Sequence, residues 1–174
     1  MRIVSLLCFA LLLGCSDPQD TVVQAAQHFT KQDECHVCGM LIDGFPGPRG
    51  ELYQANKIHK FCSTRDMLSY YFDPENQHQV QSMFVHDMAK AEWNHPNDDH
   101  LIDARSAYYV LGSNKEGAMG PTLASFAQQT DAEAFAAAYG GQVLAFAQLT
   151  AGDLQMHAGM SAMEHMEHMP GMQH

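Results

Sequence analysis

Basic residues are scarce in this chain: nine Lys and Arg stand against twenty Asp and Glu, for a formal net charge of −11. So negative a molecule repels phosphate backbones, which excludes general nucleic-acid binding. The apolar run Ile3 to Leu13 is too short to span a bilayer. No Ser-His-Asp order, phosphate-binding loop or paired-carboxylate motif stands out, so the marks of common catalysis are missing. At 174 residues there is room for one compact domain or two small ones. Cysteine is sparse too, at five residues, but their placement carries most of the information.

Met1-Arg2 supplies a positive start, Ile3 to Leu13 an apolar centre, and Leu12-Leu13-Gly14-Cys15 the close. Residues 1–14 therefore read as a secretory signal. Gly14 before Cys15 resembles the bacterial lipoprotein cleavage box, which implies that Cys15 carries acyl chains such as palmitate and becomes the new N-terminus. Ser16 stands where an Asp would suggest inner-membrane retention, so the outer membrane is open as the site of the anchor. Residues 15–31 are polar, with Asp17-Pro18 and scattered Gln, and read as a lipid-anchored tether. With Cys8 in the signal and Cys15 lipidated, Cys35, Cys38 and Cys62 are left. Three thiols cannot all pair in an oxidising envelope, which favours metal ligation or a labile thiol over a disulfide framework.

The densest set of soft donors is Cys35-His36-Val37-Cys38-Gly39-Met40. Thiolates and thioethers favour Cu(I), and a Cys-x-x-Cys pair also holds zinc. A short-range disulfide and a thioredoxin-like redox site are the competing readings. A redox pair is expected at a helix start, where the dipole stabilises a thiolate, but Gly39 to Gly44 is a poor helix. Cys62, at a strand end and before a helix, combines with Cys35 and Cys38 in a layout resembling a zinc knuckle. The fourth ligand is missing from its expected place, with only Asp66 nearby, which argues against a closed zinc site. A zinc-stabilised protein-binding module and a thiol oxidoreductase remain the alternatives to a copper carrier. His28, His59, His78, His86, His95 and His100 show no ligand spacing and read as solvent-facing or satisfied in the core.

The folded part predicts an α+β architecture of two tandem strand-strand-helix-strand units packed together. Residues 32–93 form the first, with strands over Glu51 to Gln54 and Lys57 to Cys62, a helix capped by Ser63, and a strand over Val80 to Met88. Residues 94–151 form the second, with strands over Ala104 to Leu111 and Thr122 to Gln128. A capping box at Thr130-x-x-Glu133 then opens a helix, Gly140-Gly141 ends it, and a strand spans Gln142 to Gln148. Met119, in the loop Gly117-Ala118-Met119-Gly120-Pro121, has the setting of either a ligand or a gap-filling side chain.

Residues 152–174 hold six methionines and four histidines, and Leu154 is the one branched side chain they offer for burial. Such a segment does not build a core and reads as a disordered tail. Met160, Met163, His165, Met166, His168 and Met169 make it an additional metal-binding candidate.

Taken together, the lipoprotein signal, Cys35-x-x-Cys38-Gly39-Met40, the two repeated units and Met119-Gly120 resemble the NosL family, accessory lipoproteins of nitrous oxide reductase maturation. The resemblance spans roughly residues 12 to 150. It implies a non-enzymatic, periplasm-facing metallochaperone of denitrification. Its cargo would be Cu(I), with Zn(II) as a candidate second metal, and its partners apo nitrous oxide reductase and the copper and ABC-type maturation machinery. Carried over by residue, it points to Cys38 and Met119 as ligands, with Met40 and Cys35 beside them.

Overall fold

The computed structural model describes residues 24–155. Strands β1 (Gly50–Gln54) and β2 (Lys57–Phe61) pair antiparallel, turning through Ala55 and Asn56 at φ 49° and 63°. Two successive left-handed residues match the twist of a tight hairpin, and Asn tolerates that region well. Ser63 caps α1 (Thr64–Tyr71) by accepting the amide of Asp66, and the helix buries Met67, Leu68 and Tyr71. Asp73 caps the short α2 (Pro74–Gln77), with Pro74 in its first turn. The chain then returns as β3 (Val80–His86) along the free edge of β1.

The second half repeats this order around β5 (Tyr108–Leu111). A small hairpin of β6 (Glu116–Gly117) and β7 (Gly120–Pro121) follows, then β8 (Ala124–Phe126), α3 (Gln129–Tyr139) and β9 (Gln142–Ala145). In both main sheets the first strand lies between its hairpin or loop-connected neighbour on one side and the strand after the helix on the other. The α+β class with two strand-strand-helix-strand units holds.

Four details differ from the sequence reading. First, β4 (Leu101–Asp103) pairs with β3, although it lies in the stretch assigned to the second unit. It covers the edge that β3 would otherwise leave unpaired. Second, α3 starts at Gln129 and Gln128 makes no side-chain cap, so the Thr130 capping box does not form. Glu133 instead accepts a hydrogen bond from Gln129 Nε2 at 2.8 Å. Third, the loop around Met119 is a two-stranded hairpin. Fourth, the second unit's strands are shorter than predicted: Asp103 caps a turn through Arg105 and Ser106 before β5 begins, and a helical turn over Phe146–Gln148 ends β9.

One buried cluster joins the halves, with Leu52, Phe61, Met67 and Leu68 from the first packed among Tyr109, Leu111 and Leu123 from the second. Each such side chain contributes about 1.5–3 kcal/mol on burial. Gly50 lets α1 approach the sheet, because a Cβ there would lie 2.6 Å from Met67 Sδ. At the seam, the Thr64 hydroxyl donates to the carbonyl of Leu123, and Ser125 Oγ donates to the carbonyl of His86 at 2.7 Å.

Residues 25–33, which overlap the stretch read as a tether, lie against the first sheet and are held by polar side chains. Tyr53 donates to the carbonyl of Ala25 at 2.8 Å, Glu51 accepts the amide of Gln27 at 2.7 Å, and Asp98 accepts that of Phe29 at 2.7 Å. The Lys60 ammonium reaches the carbonyl of His28 at 2.8 Å and Asp33 Oδ2 at 2.7 Å. Phe29 stacks on the fully buried His86, whose ring is fixed between the amide of Arg49 and Asp98. That histidine is satisfied in the core, as its lack of ligand spacing suggests.

Glu51 is fully buried, and its Oε2 has no hydrogen-bond partner among the described residues. Burial pushes its carboxyl up to about 7 from 4.5. A raised carboxyl stabilises the fold below its unfolded value, and that contribution is lost as pH rises through 7. Replacing Glu51 with Gln keeps the shape and removes the charge. In urea unfolding, the stability of Glu51→Gln relative to the parent is expected to grow by about 1–3 kcal/mol between about pH 5 and pH 8.

Candidate metal centre

The Cys35–Met40 loop folds back on itself before reaching the sheet. The amide of Cys35 donates to the carbonyl of Met40 at 2.8 Å, and that of Gly39 to Cys35 at 2.8 Å. Gly39 takes φ 71°, which a side chain would resist. Glu34 and Leu41 bridge across the base, while the amide of Ile42 donates to the carbonyl of Asp33 at 2.9 Å. The amide of His36 then ties the loop to β2 through the carbonyl of Lys60 at 2.8 Å. Lys60 thus holds the loop twice, by its backbone and by its part-buried ion pair with Asp33.

These ties set Cys35 and Cys38 over the point where β2 runs into α1. Cys62 immediately precedes the Ser63 cap, and Asp66 lies four residues on, facing the same way. The sulfurs of Cys35, Cys38 and Cys62 and a carboxylate oxygen of Asp66 all lie within 4.8 Å of one another. Cys38 Sγ is 3.8 Å from Cys62 Sγ, and the Cys62 thiol donates to Asp66 Oδ2 at 3.2 Å. Cys35 and Cys62 are buried while Cys38 is exposed, so the group has a closed floor and an open lip.

The charges in this group are strongly coupled. A hydrogen bond from Cys62 draws the Cys35 thiol well below its ordinary value against the cost of burial, with backbone amides of Cys62, Cys38 and Val37 helping. Cys62 is driven upward by that same hydrogen bond, then by burial and by Asp66. Partial burial raises Cys38, and the neighbouring Cys35 charge adds to it. Asp66 is raised chiefly by burial. Of the three thiols Cys35 is therefore the first to ionise, beside a carboxylate, and a soft cation would relieve the electron-rich pocket.

Of the residues singled out from sequence, Cys35, Cys38 and Cys62 converge. Asp66, set aside there as a fourth ligand, lies with them; its spacing from Cys62 across a helix cap was the available signal. Met40 is half-buried at the end of the same loop. Met119 is exposed at the tip of the β6–β7 hairpin, which is tied to α1 by Arg65 Nη1 donating to the carbonyl of Pro121 at 3.0 Å. Two histidines that the sequence did not connect, His36 and His59, place their ring centroids 4.0 Å apart beside the loop. Cys15 and the candidates Met160, Met163, His165, Met166, His168 and Met169 lie outside the described residues. Among those described, no helix is long and apolar enough to cross a membrane.

A family model described as NosL matches residues 26–154. The copper-binding lipoprotein NosL of Stutzerimonas stutzeri is 44% identical over 171 residues, covering 97% of this chain and 89% of the relative. The copper-binding lipoprotein NosL of Achromobacter cycloclastes is 35% identical over 147 residues, covering 81% and 75%. The crystal structure of the copper chaperone NosL from Shewanella denitrificans superposes with a TM-score of 0.71 at 51% identity, covering 72% of this chain and 96% of that one.

Lys60→Met is expected to remove the partner of the part-exposed Asp33 and loosen the loop, at a cost of about 1–2 kcal/mol in chemical unfolding. Alkylation of Cys35 by iodoacetamide is expected to accelerate about tenfold or more, because local opening becomes easier. An unchanged alkylation rate would show that the loop keeps its place without the ion pair.

Proposed function

The chain belongs to the NosL family, and from that premise we propose that it is a lipid-anchored metallochaperone that carries Cu(I) for assembly of the copper centres of nitrous oxide reductase. The observation that carries this reading is the convergence of three cysteine sulfurs with Cys38 at an exposed lip. Buried thiolates hold a soft ion, and an exposed donor lets an acceptor's ligand enter before the last bond to the carrier breaks. The protein binds and releases its cargo and is not an enzyme.

In this reading Cys38 and Met119 ligate the copper with Met40 and Cys35 beside them, and Cys15 carries the lipid that holds the domain at the periplasmic face of the envelope. Thioethers bind without losing a proton, so Met119 can leave and return during exchange. Apo nitrous oxide reductase and its maturation machinery are the partners. The Asp66 carboxylate within 4.8 Å of the sulfurs favours a second reading for part of the site, since a hard oxygen beside thiolates suits Zn(II).

Anaerobic competition with a Cu(I) chelator tests the main reading. Met119→Leu keeps volume and apolarity, so affinity is expected to fall about tenfold with little change in stability. Cys38→Ser removes a charged ligand, and a drop of about a hundredfold or more is expected. In copper-limited cells both variants are expected to leave nitrous oxide reductase underloaded. If the double variant, folded and exported, bound Cu(I) as tightly as the parent and supported full loading, the proposal would be wrong.

The Met/His-rich tail is assigned additional, weaker copper equivalents. Deleting residues 156–174 is expected to lower the copper stoichiometry while the tightest site persists. Loss of the tightest site would move the main ligands into the tail.

A further inference from the structure

The thiol group that forms the site also has the geometry of an oxidisable pair. We propose that Cys38 and Cys62 form a reversible disulfide by exchange with a disulfide-bearing reagent, and that this modification closes the site to its cargo. The inference rests on the copper-carrier reading for its consequence, but not for its chemistry.

Three observations carry it. Cys38 is exposed and sits on a turn, so an external disulfide can approach its sulfur. Cys62 is buried directly behind it with the two Sγ atoms 3.8 Å apart, and a disulfide requires them to approach to about 2.05 Å. That is a movement of under about 2 Å, and it falls on an exposed loop. Cys35 is buried, and the position of its backbone is set by bonds to Met40 and Gly39 on both sides. It therefore lacks the access needed to start the exchange.

The steps balance without a metal. The Cys38 sulfur, on giving up its proton, attacks one sulfur of the reagent, whose S–S bond breaks, and the departing sulfur takes up that proton and leaves as a thiol. Cys62 then attacks the Cys38 sulfur of the mixed disulfide, and the second external sulfur takes up the Cys62 proton and leaves as a thiol. Two protein thiols are oxidised and one external disulfide is reduced to two thiols. The new bond joins segments 24 residues apart and removes two of the three sulfur donors, leaving Cys35 and Asp66.

The test uses the reduced, metal-free full chain in detergent, with oxidised glutathione as the probe. After exposure, blocking of residual thiols and tryptic digestion, mass spectrometry is expected to find residues 32–49 joined to residues 61–65 with the loss of two hydrogens. Fragmentation is expected to place the bond at Cys38 and leave Cys35 blocked. Cys35→Ser is expected to form the same bond, and Cys38→Ser to form none. The oxidised chain is expected to bind Cu(I) about a hundredfold or more weakly, with recovery in dithiothreitol. A bond within residues 32–49, a Cys35–Cys62 bond, or a persistent glutathione adduct would overturn the proposal, as would unchanged Cu(I) affinity in the oxidised chain. If the disulfide forms at Cys38 and Cys62 but the reduced parent binds no Cu(I), the pairing stands and the carrier reading fails instead.

Discussion

The buried ammonium of Lys60 is the constraint on which the site depends. It sits on the edge strand β2 but is only 9% exposed, where an unpaired cation would be costly. Its charge is met by Asp33, and a second of its donors by the carbonyl of His28. Burial alone would raise the Asp33 carboxyl, but the bonds from Lys60 and Thr30 hold it below its usual range. Because Asp33 also closes the base of the cysteine loop, satisfying one buried charge positions two of the three sulfurs. The third arrives from the same strand, since Cys62 lies two residues beyond Lys60.

What this arrangement accomplishes is electrostatic. Three thiols and a carboxyl in contact cannot all ionise, because each negative charge disfavours the next. The fold concentrates acceptors at the start of α1, where the helix amides favour negative charge, and leaves one edge open to solvent. The same proximity that favours a soft cation also leaves Cys38 and Cys62 in contact. A cluster of neighbouring thiols carries that contact as a consequence of its own geometry.

The strap over residues 25–33 shows how a polar stretch can be part of a fold. It contributes little to the core apart from Phe29, whose ring lies against His86 and near the cations of Arg49 and Lys60. Its attachment comes from polar groups of the sheet and of the turn at Asp98 that would otherwise be buried without partners. Such groups cost more unmet than they return when met, so they act as address labels for the strap.

By itself the sequence determined what near neighbours decide. Ser63 with Asp66 marks a helix start, Gly140-Gly141 a helix end, and alternation over Val80 to Met88 a strand, because capping and periodicity act within a few residues. The Cys-x-x-Cys stretch and the repeated element order were legible for the same reason. Only the tertiary structure decided that Asp66 and Cys62 join Cys35 and Cys38, that β4 completes the first sheet, and that residues 25–33 are strapped down. It also decided that the Thr130 capping box yields to an earlier helix start. Each of the three joinings depends on groups brought together from well apart in the chain, where the energy of meeting a buried charge or an unpaired strand edge outweighs any local preference.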